Sequence, residues 1–568
     1  MTRIRRATVR SLLAVIAAVG ITMPALVLLS CTGQSSQGNP PFRPHVPTIG
    51  ETRAENRLNA AKHYGMPELY AFLKPFPKGA DLHMHLSGAI YAETFIAEAI
   101  RQGLCVAPVD TGKPASPIGK DAVQFVAPVS GTRCGPGTVA ASTALTNQAL
   151  YDNLVDSFSL RAFVPFEGIN GHDQFFSTFA RFGGLKNVAG EWLDEVAARA
   201  ATQNEQYLEI MQTPPFSNAA RIGNQIGWPA GSEKSVTPQA LASLRNQLLA
   251  AGLREDVAVD TKYFADAKAA RDSIERCTGE GSVSSTCGVR IHFLYQVLRG
   301  FPPQQVFAQT LLGFEVATSD PDVVGINFVM PEDGETSMRD YHLQMLMLDY
   351  LHSVYPKVHI SLHAGELAPG LVPPEGLRFH IREAVELGHA ERIGHGVDVL
   401  YEDRPFDLLK EMAARHVDVE VNLTSNDGIL DVKGGDHPLA AYLAARVPFS
   451  LSTDDEGVSR IDLTHEYARA VDEQDLDYVD LKHSARDSLE HSFLSGESLW
   501  VWSDNYDHLK SACDAAITAN SKPSDGCQKF LNANEKAAQQ WELERRLAAF
   551  EASVRLNPLI VNGVPLGN

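Results

Sequence analysis

Eight short apolar runs recur along the chain, separated by stretches whose apolar positions repeat every third or fourth residue. The runs are Lys78–Leu86, Gln206–Met211, Val289–Gln296, Val323–Met330, Val358–His363, Arg392–Val397, Asp418–Leu423 and Val447–Thr453. Each reads as a buried β-strand. The stretches between them, such as Ile381–Leu387 and Leu439–Ala445, read as helices. Strands that alternate with helices in this way predict an α/β fold with a parallel sheet. Eight of them predict a (β/α)8 barrel, a TIM barrel with long insertions. Phe175, Phe176 and Phe179 fall at helical spacing and suit either a core stripe or an apolar lid over a substrate.

The ends and the insertions differ in character from the barrel. Arg3, Arg5, Arg6 and Arg10 precede an apolar stretch that runs to Leu29, then Ser30, Cys31 and a polar segment. The pattern predicts a secretory signal over residues 1–30. Its ending resembles a bacterial lipobox, which would make Cys31 the lipidated N-terminus. An uncleaved membrane anchor is the competing reading, because the apolar stretch could just span a bilayer. Residues 31–56 read as a flexible tether, 57–555 as the barrel and 556–568 as a tail. Insertions are expected near 103–150 and 214–287.

Cysteine usage agrees with export. Six cysteines beyond Cys31 fall as local neighbours: Cys105 with Cys134, Cys277 with Cys287 and Cys513 with Cys527. An even count in an exported chain reads as disulfides. Pairing between neighbours is the simplest of the many connectivities that six cysteines permit. No Cys-x-x-Cys pair is present, which disfavours a thiolate zinc site. The expected location is therefore periplasmic or cell-surface, with the membrane reached through a lipidated N-terminus. The net charge is −20, so the surface repels phosphate backbones and no nucleic-acid partner is expected.

Candidate chemistry sits at the ends of the apolar runs. His83 and His85, two apart on a strand, face the same way. His363 closes the fifth run and Glu366 follows on the turn; His395 closes the sixth; Asp454 and Asp455 follow the eighth. Strand ends of a parallel barrel deliver side chains to one rim. Three imidazoles and a carboxylate suit zinc better than magnesium or calcium, because nitrogen ligands select borderline metals. Such an ion, with an open position, lowers the pKa of bound water toward about 7.

The segments Lys78-Gly79-Ala80-Asp81-Leu82-His83-Met84-His85-Leu86-Ser87-Gly88, Ser361-Leu362-His363-Ala364-Gly365-Glu366, Arg392-Ile393-Gly394-His395-Gly396 and Leu451-Ser452-Thr453-Asp454-Asp455 resemble the adenosine deaminase family. That family is a branch of the metal-dependent amidohydrolases. The resemblance implies a (β/α)8 barrel holding one Zn2+ through His83, His85, His363 and Asp454. It implies hydrolytic deamination of adenosine or deoxyadenosine, by attack of zinc-bound hydroxide at C6. His395 would orient the water and take or stabilise its proton, and Glu366 would donate a proton to N1. Asp455 would accept a hydrogen bond at N7, and the backbone of Gly325 would meet N3. One position departs from the pattern: Ser87 stands where the familiar nucleoside deaminases carry an aspartate that holds the ribose 5′-hydroxyl. Serine gives up a charge-assisted bond there, so sugar recognition is the open part of the reading. The partner expected is a small purine nucleoside. Another 6-aminopurine compound or a different amidohydrolase substrate is the alternative, and a non-catalytic relative would need a missing ligand or acid.

Overall fold

In a computed structural model of the protein, the described residues are 45–109, 122–277 without positions 162, 167, 187 and 233, and 284–555, with the backbone of two short strands at 560–561 and 564–565. The expected signal segment and Cys31 lie outside the described residues. No helix among the described residues is long and apolar enough to cross a membrane.

The eight expected strands form one sheet. They are β1 (Gly79–His85), β2 (Glu205–Gln212), β3 (Arg290–Leu298), β4 (Val323–Val329), β5 (His359–Ala364), β6 (Arg392–His395), β7 (Asp418–Val421) and β8 (Phe449–Leu451). All neighbours pair in parallel, in sequence order from β1 to β8. Every residue of β1 and β2 is buried. Helices cover the outside of such a barrel and side chains fill its inside, so both faces of a strand are shielded from water.

The seam between β1 and β8 is not a regular ladder. It is closed by a single bridge between Met84 and Asp454, with Asp454 N donating to His83 O at 2.8 Å. Below it, Thr453 donates through its hydroxyl to Asp81 at 2.6 Å. At the C-terminal end of β8, Ser452 N still donates to Val421 O at 3.0 Å, while Thr453 and Asp454 turn to β1 to make these contacts.

Helix α1 (Ile49–Tyr64) starts inside the segment expected as tether, which corrects the boundary at residue 56. Thr48 and Glu51 form a reciprocal capping box, and Ala54, Leu58 and Ala61 bury one face. Glu51 is itself buried and pairs with Lys482 at 2.7 Å.

The second insertion packs on the barrel, with Leu244, Leu248 and Phe264 buried in the main core. The first contains a three-stranded antiparallel sheet from Cys105–Pro108, Val123–Val126 and Val139–Ala140. The second contains three helices, Ser217–Ile226, Pro238–Ala250 and Leu253–Glu275. Disulfides join Cys105 to Cys134, Cys277 to Cys287 and Cys513 to Cys527, the neighbour pairing expected from sequence. They point to an oxidising location. The last staples a satellite core of Leu499, Trp500, Leu531 and Trp541. Replacing Cys105 and Cys134 together by serine should cost about 3–4 kcal/mol of local stability, by freeing the loop in the unfolded chain. Limited proteolysis should then cut between positions 103 and 150, with the barrel's unfolding midpoint little changed. A fall of the whole midpoint would show that the insertion is instead part of the barrel's cooperative unit.

Candidate metal centre and active site

The C-terminal rim of the barrel gathers the residues that the strand ends supply. His83 and His85 end β1, His363 lies one residue before the end of β5, and His395 ends β6. Glu366 follows β5 on its turn, and Asp454 and Asp455 follow β8. His363 Nε2 lies 3.1 Å from His83 Nε2 and 3.2 Å from His85 Nε2. Asp454 Oδ1 is 3.3 Å from His85 Nε2 and 3.6 Å from His83 Nε2. His395 also lies within ligand reach of His83, His363 and Asp454.

The hydrogen bonds behind the imidazoles decide what that cluster can hold. His83 Nδ1 is 2.6 Å from Glu420 Oε2, His85 Nδ1 is 2.9 Å from Gln296 Oε1, and His363 Nδ1 is 2.7 Å from Asn327 Oδ1. A carboxylate and two amide oxygens only accept, so each Nδ1 carries the hydrogen and each Nε2 turns a lone pair inward. Three converging lone pairs beside a buried carboxylate repel one another unless a cation sits between them. The donor set therefore fits a nitrogen-preferring divalent metal, with the outer partners that such sites require.

Glu420 is balanced in turn. Arg392 Nε donates to its Oε1 at 2.6 Å, Ser361 donates to the same oxygen at 2.9 Å, and Arg392 reaches Glu209 at 2.8 Å. Burial alone would raise the Glu420 carboxyl, but Arg392 and His83 outweigh it and hold the group down to about 2. Sequence reasoning missed Glu420, Gln296 and Asn327 as partners. The available signal was a polar residue inside an apolar strand, as in Val419-Glu420-Val421, where burial demands a partner.

Glu366 is placed by an anion beneath it. Glu332 accepts from the N–H groups of Gly365 at 3.1 Å and Glu366 at 2.9 Å, and His380 Nδ1 is 2.5 Å away. Burial, with Asp454 and Glu332 nearby, pushes the Glu366 carboxyl well above its ordinary range. Burial also raises Asp455, to about 8. Gly88 makes room for it, since a Cβ there would sit 1.4 Å from Asp455 Oδ1. His395 and Asp454 both have positive φ, 71° and 59°, in residue types that tolerate it.

His395 belongs to a relay that sequence reasoning did not find. The N–H of Leu439 donates to His437 Nδ1 at 3.2 Å, so His437 carries its hydrogen on Nε2. That group faces Asn426 Oδ1 at 3.1 Å, and the amide nitrogen of Asn426 donates to His395 Nδ1 at 2.9 Å. Burial lowers His395 to about 3, so it is neutral. Its one hydrogen is then on Nε2, which has no protein partner among the described residues.

His85, His363, Glu366, His395, Asp454 and Asp455 line a cavity of about 300 Å³. Ser87 lines it as well. So do Phe175, Phe176 and Phe179 of α2 (Gly171–Phe182), with Leu298, Val329, Met330 and Pro331. The core stripe is what these phenylalanines form, with Phe175 buried in the main core and Phe176 and Phe179 packed against it, while all three also face the cavity. Gly325 is a correction. It lies near the start of β4, where a Cβ would be 2.8 Å from His359 O and 3.0 Å from the Phe493 ring. It makes room for barrel packing and does not line the cavity; the residue at the open end of that strand is Met330. His172 pairs with Asp333 at 2.8 Å, His389 with Asp349 at 2.8 Å, and His292 meets the Tyr207 hydroxyl at 3.2 Å.

A family model described as adenosine deaminase matches residues 194–500. The adenosine deaminase of Escherichia coli O1:K1 / APEC is 39% identical over 142 residues, which cover 24% of this chain and 39% of that relative. The chain thus spans about two fifths of the curated relatives it matches. Solved structures of similar fold include an adenine deaminase from Arthrobacter aurescens, at 18% identity and TM-score 0.43, covering 74% of this chain and 94% of that one. An Arabidopsis N6-mAMP deaminase matches at 20% identity and TM-score 0.45, covering 75% of this chain and 96% of that one. The family match takes in β2 through β8, and with them His363, His395, Asp454 and Asp455 of the buried His/Asp metal site, so this hydrolase belongs to the adenosine deaminase family.

Proposed function

We propose that the protein is a zinc-dependent deaminase of adenosine or deoxyadenosine, releasing ammonia and the 6-oxopurine nucleoside outside the cytoplasm. The observation that carries the reading is Glu366, a buried carboxyl pushed well above its ordinary range, beside the three-imidazole donor set in the same cavity. His83, His85, His363 and Asp454 would hold the ion, which supplies a Lewis acid that makes hydroxide available near neutral pH. Glu366 donates its proton to N1 of the purine, and draining charge from the ring opens C6 to attack. His395 presents Nε2–H to the cavity, so it steadies negative charge on the attacking oxygen; the relay behind it leaves no lone pair there to take a proton. Asp455 keeps its own proton at neutral pH and donates it toward N7. This reverses the expected direction, because N7 of a neutral purine can only accept.

Among the described residues no lysine or arginine lines the cavity, which supports an uncharged nucleoside as the partner. The tether through Cys31 rests on the sequence alone. Ser87 and the apolar wall favour one second reading, a different 6-aminopurine compound turned over by the same groups. The test mixes the zinc-loaded protein with adenosine and follows the adenine absorbance together with ammonia. Chelation should abolish both signals and added zinc should restore them. A zinc-loaded protein that releases no ammonia from adenosine would move the assignment to other aminopurines, and none from any of these would end it.

A further inference from the structure

Among the described non-glycine residues with positive φ, most are Asn, Asp, His or Arg, and several cap helices. Met330 is different: its φ is 93°, it directly follows β4 at the cavity, and it is 37% exposed despite its apolar side chain. A glycine would adopt this backbone freely, whereas an L side chain is strained there. The strain is held in place by neighbours. Arg299 Nε and Nη2 each reach the Met330 carbonyl at 3.4 Å. The sulfur lies 3.3 Å from Gly300 N, and a Cβ on Gly300 would come within 2.7 Å of Met330 Cε. Strain maintained at a cavity by a polarisable, adaptable side chain suggests a ligand contact, and the core gains nothing from a residue this exposed.

We infer that Met330 is a specificity-determining residue, whose thioether forms the wall that meets the apolar surface of the bound aminopurine compound. This rests on the deaminase reading for its ligand class. Leu298, Val329 and Pro331 line the same cavity. Met330→Gly removes the contact and the strain together. It should therefore melt at a higher temperature than the parent, while KM for adenosine rises about tenfold or more with kcat little changed. Met330→Ala removes the contact but keeps the strain, so KM should rise without the gain in melting temperature. Met330→Leu should keep KM near the parent value.

A Met330→Gly protein with parental KM, or with a lower melting temperature, overturns the inference. Calorimetric binding of inosine, the product, separates this test from the deaminase reading. If the parent binds inosine but turns over no aminopurine, the reaction assignment fails. Equal inosine affinity in the parent and Met330→Gly would then overturn the role of Met330 as well, and a weakened affinity would sustain it.

Discussion

Replacing Glu366 with glutamine should cut turnover of adenosine by about 10³-fold while zinc stays at one per chain. The glutamine keeps the volume and the hydrogen-bonding reach of the side chain and removes the proton it can give to N1. Its backbone N–H still binds Glu332, so the turn after β5 has no reason to move. The raised pKa gives the parent a sign as well. Burial, with Asp454 and Glu332, keeps Glu366 protonated above the ordinary carboxyl range, so kcat should fall as pH climbs through the elevated pKa. The variant's residual rate should lack that limb. Metal analysis and steady-state kinetics on one preparation decide the matter, and a zinc-replete variant with near-parental turnover would place the acid elsewhere.

Replacing Glu420 with alanine should have the largest effect on stability, about 3–5 kcal/mol, because it leaves Arg392 buried beside a cavity. Arg392 would keep Glu209, the His491 carbonyl at 3.1 Å and the Phe493 ring at 3.8 Å, but would lose its shortest partner. The same change frees the His83 ring to turn and to shift its hydrogen between nitrogens. Zinc affinity should drop about 10–100-fold. Denaturant unfolding of the metal-free protein measures the first effect, and competition with a chelator measures the second. A loss of zinc affinity without a loss of stability would show that Arg392 finds another anion.

How far the sequence carries depends on the range over which each interaction acts. The strand ends are legible because an apolar run followed at once by His85, His363 or His395 is a local pattern. The capping pair Thr48 and Glu51 is local too, and it places the start of α1 before residue 56, the boundary expected for the tether. Glu420 is visible as an anomaly in an apolar strand, but its partners His83, Ser361 and Arg392 come from three other strands. Only the closed barrel determines that register. Gly325 is expected at the purine from the resemblance alone, and the close approach it allows is instead to the His359 carbonyl and the Phe493 ring. Met330 carried no signal, since nothing local forces a methionine into a left-handed backbone. The relay from Leu439 to His395 joins segments that only tertiary packing brings together.

The seam between β1 and β8 deserves a mechanical reading. Two of the imidazoles stand on its one side and Asp454 on the other, and little regular pairing runs between them. An ion bound by all three is then a buckle on a split ring. Its binding energy would work directly on the joint where the first and last strands of the barrel meet, so loading the metal would tighten a closure that the Met84–Asp454 bridge alone makes only lightly.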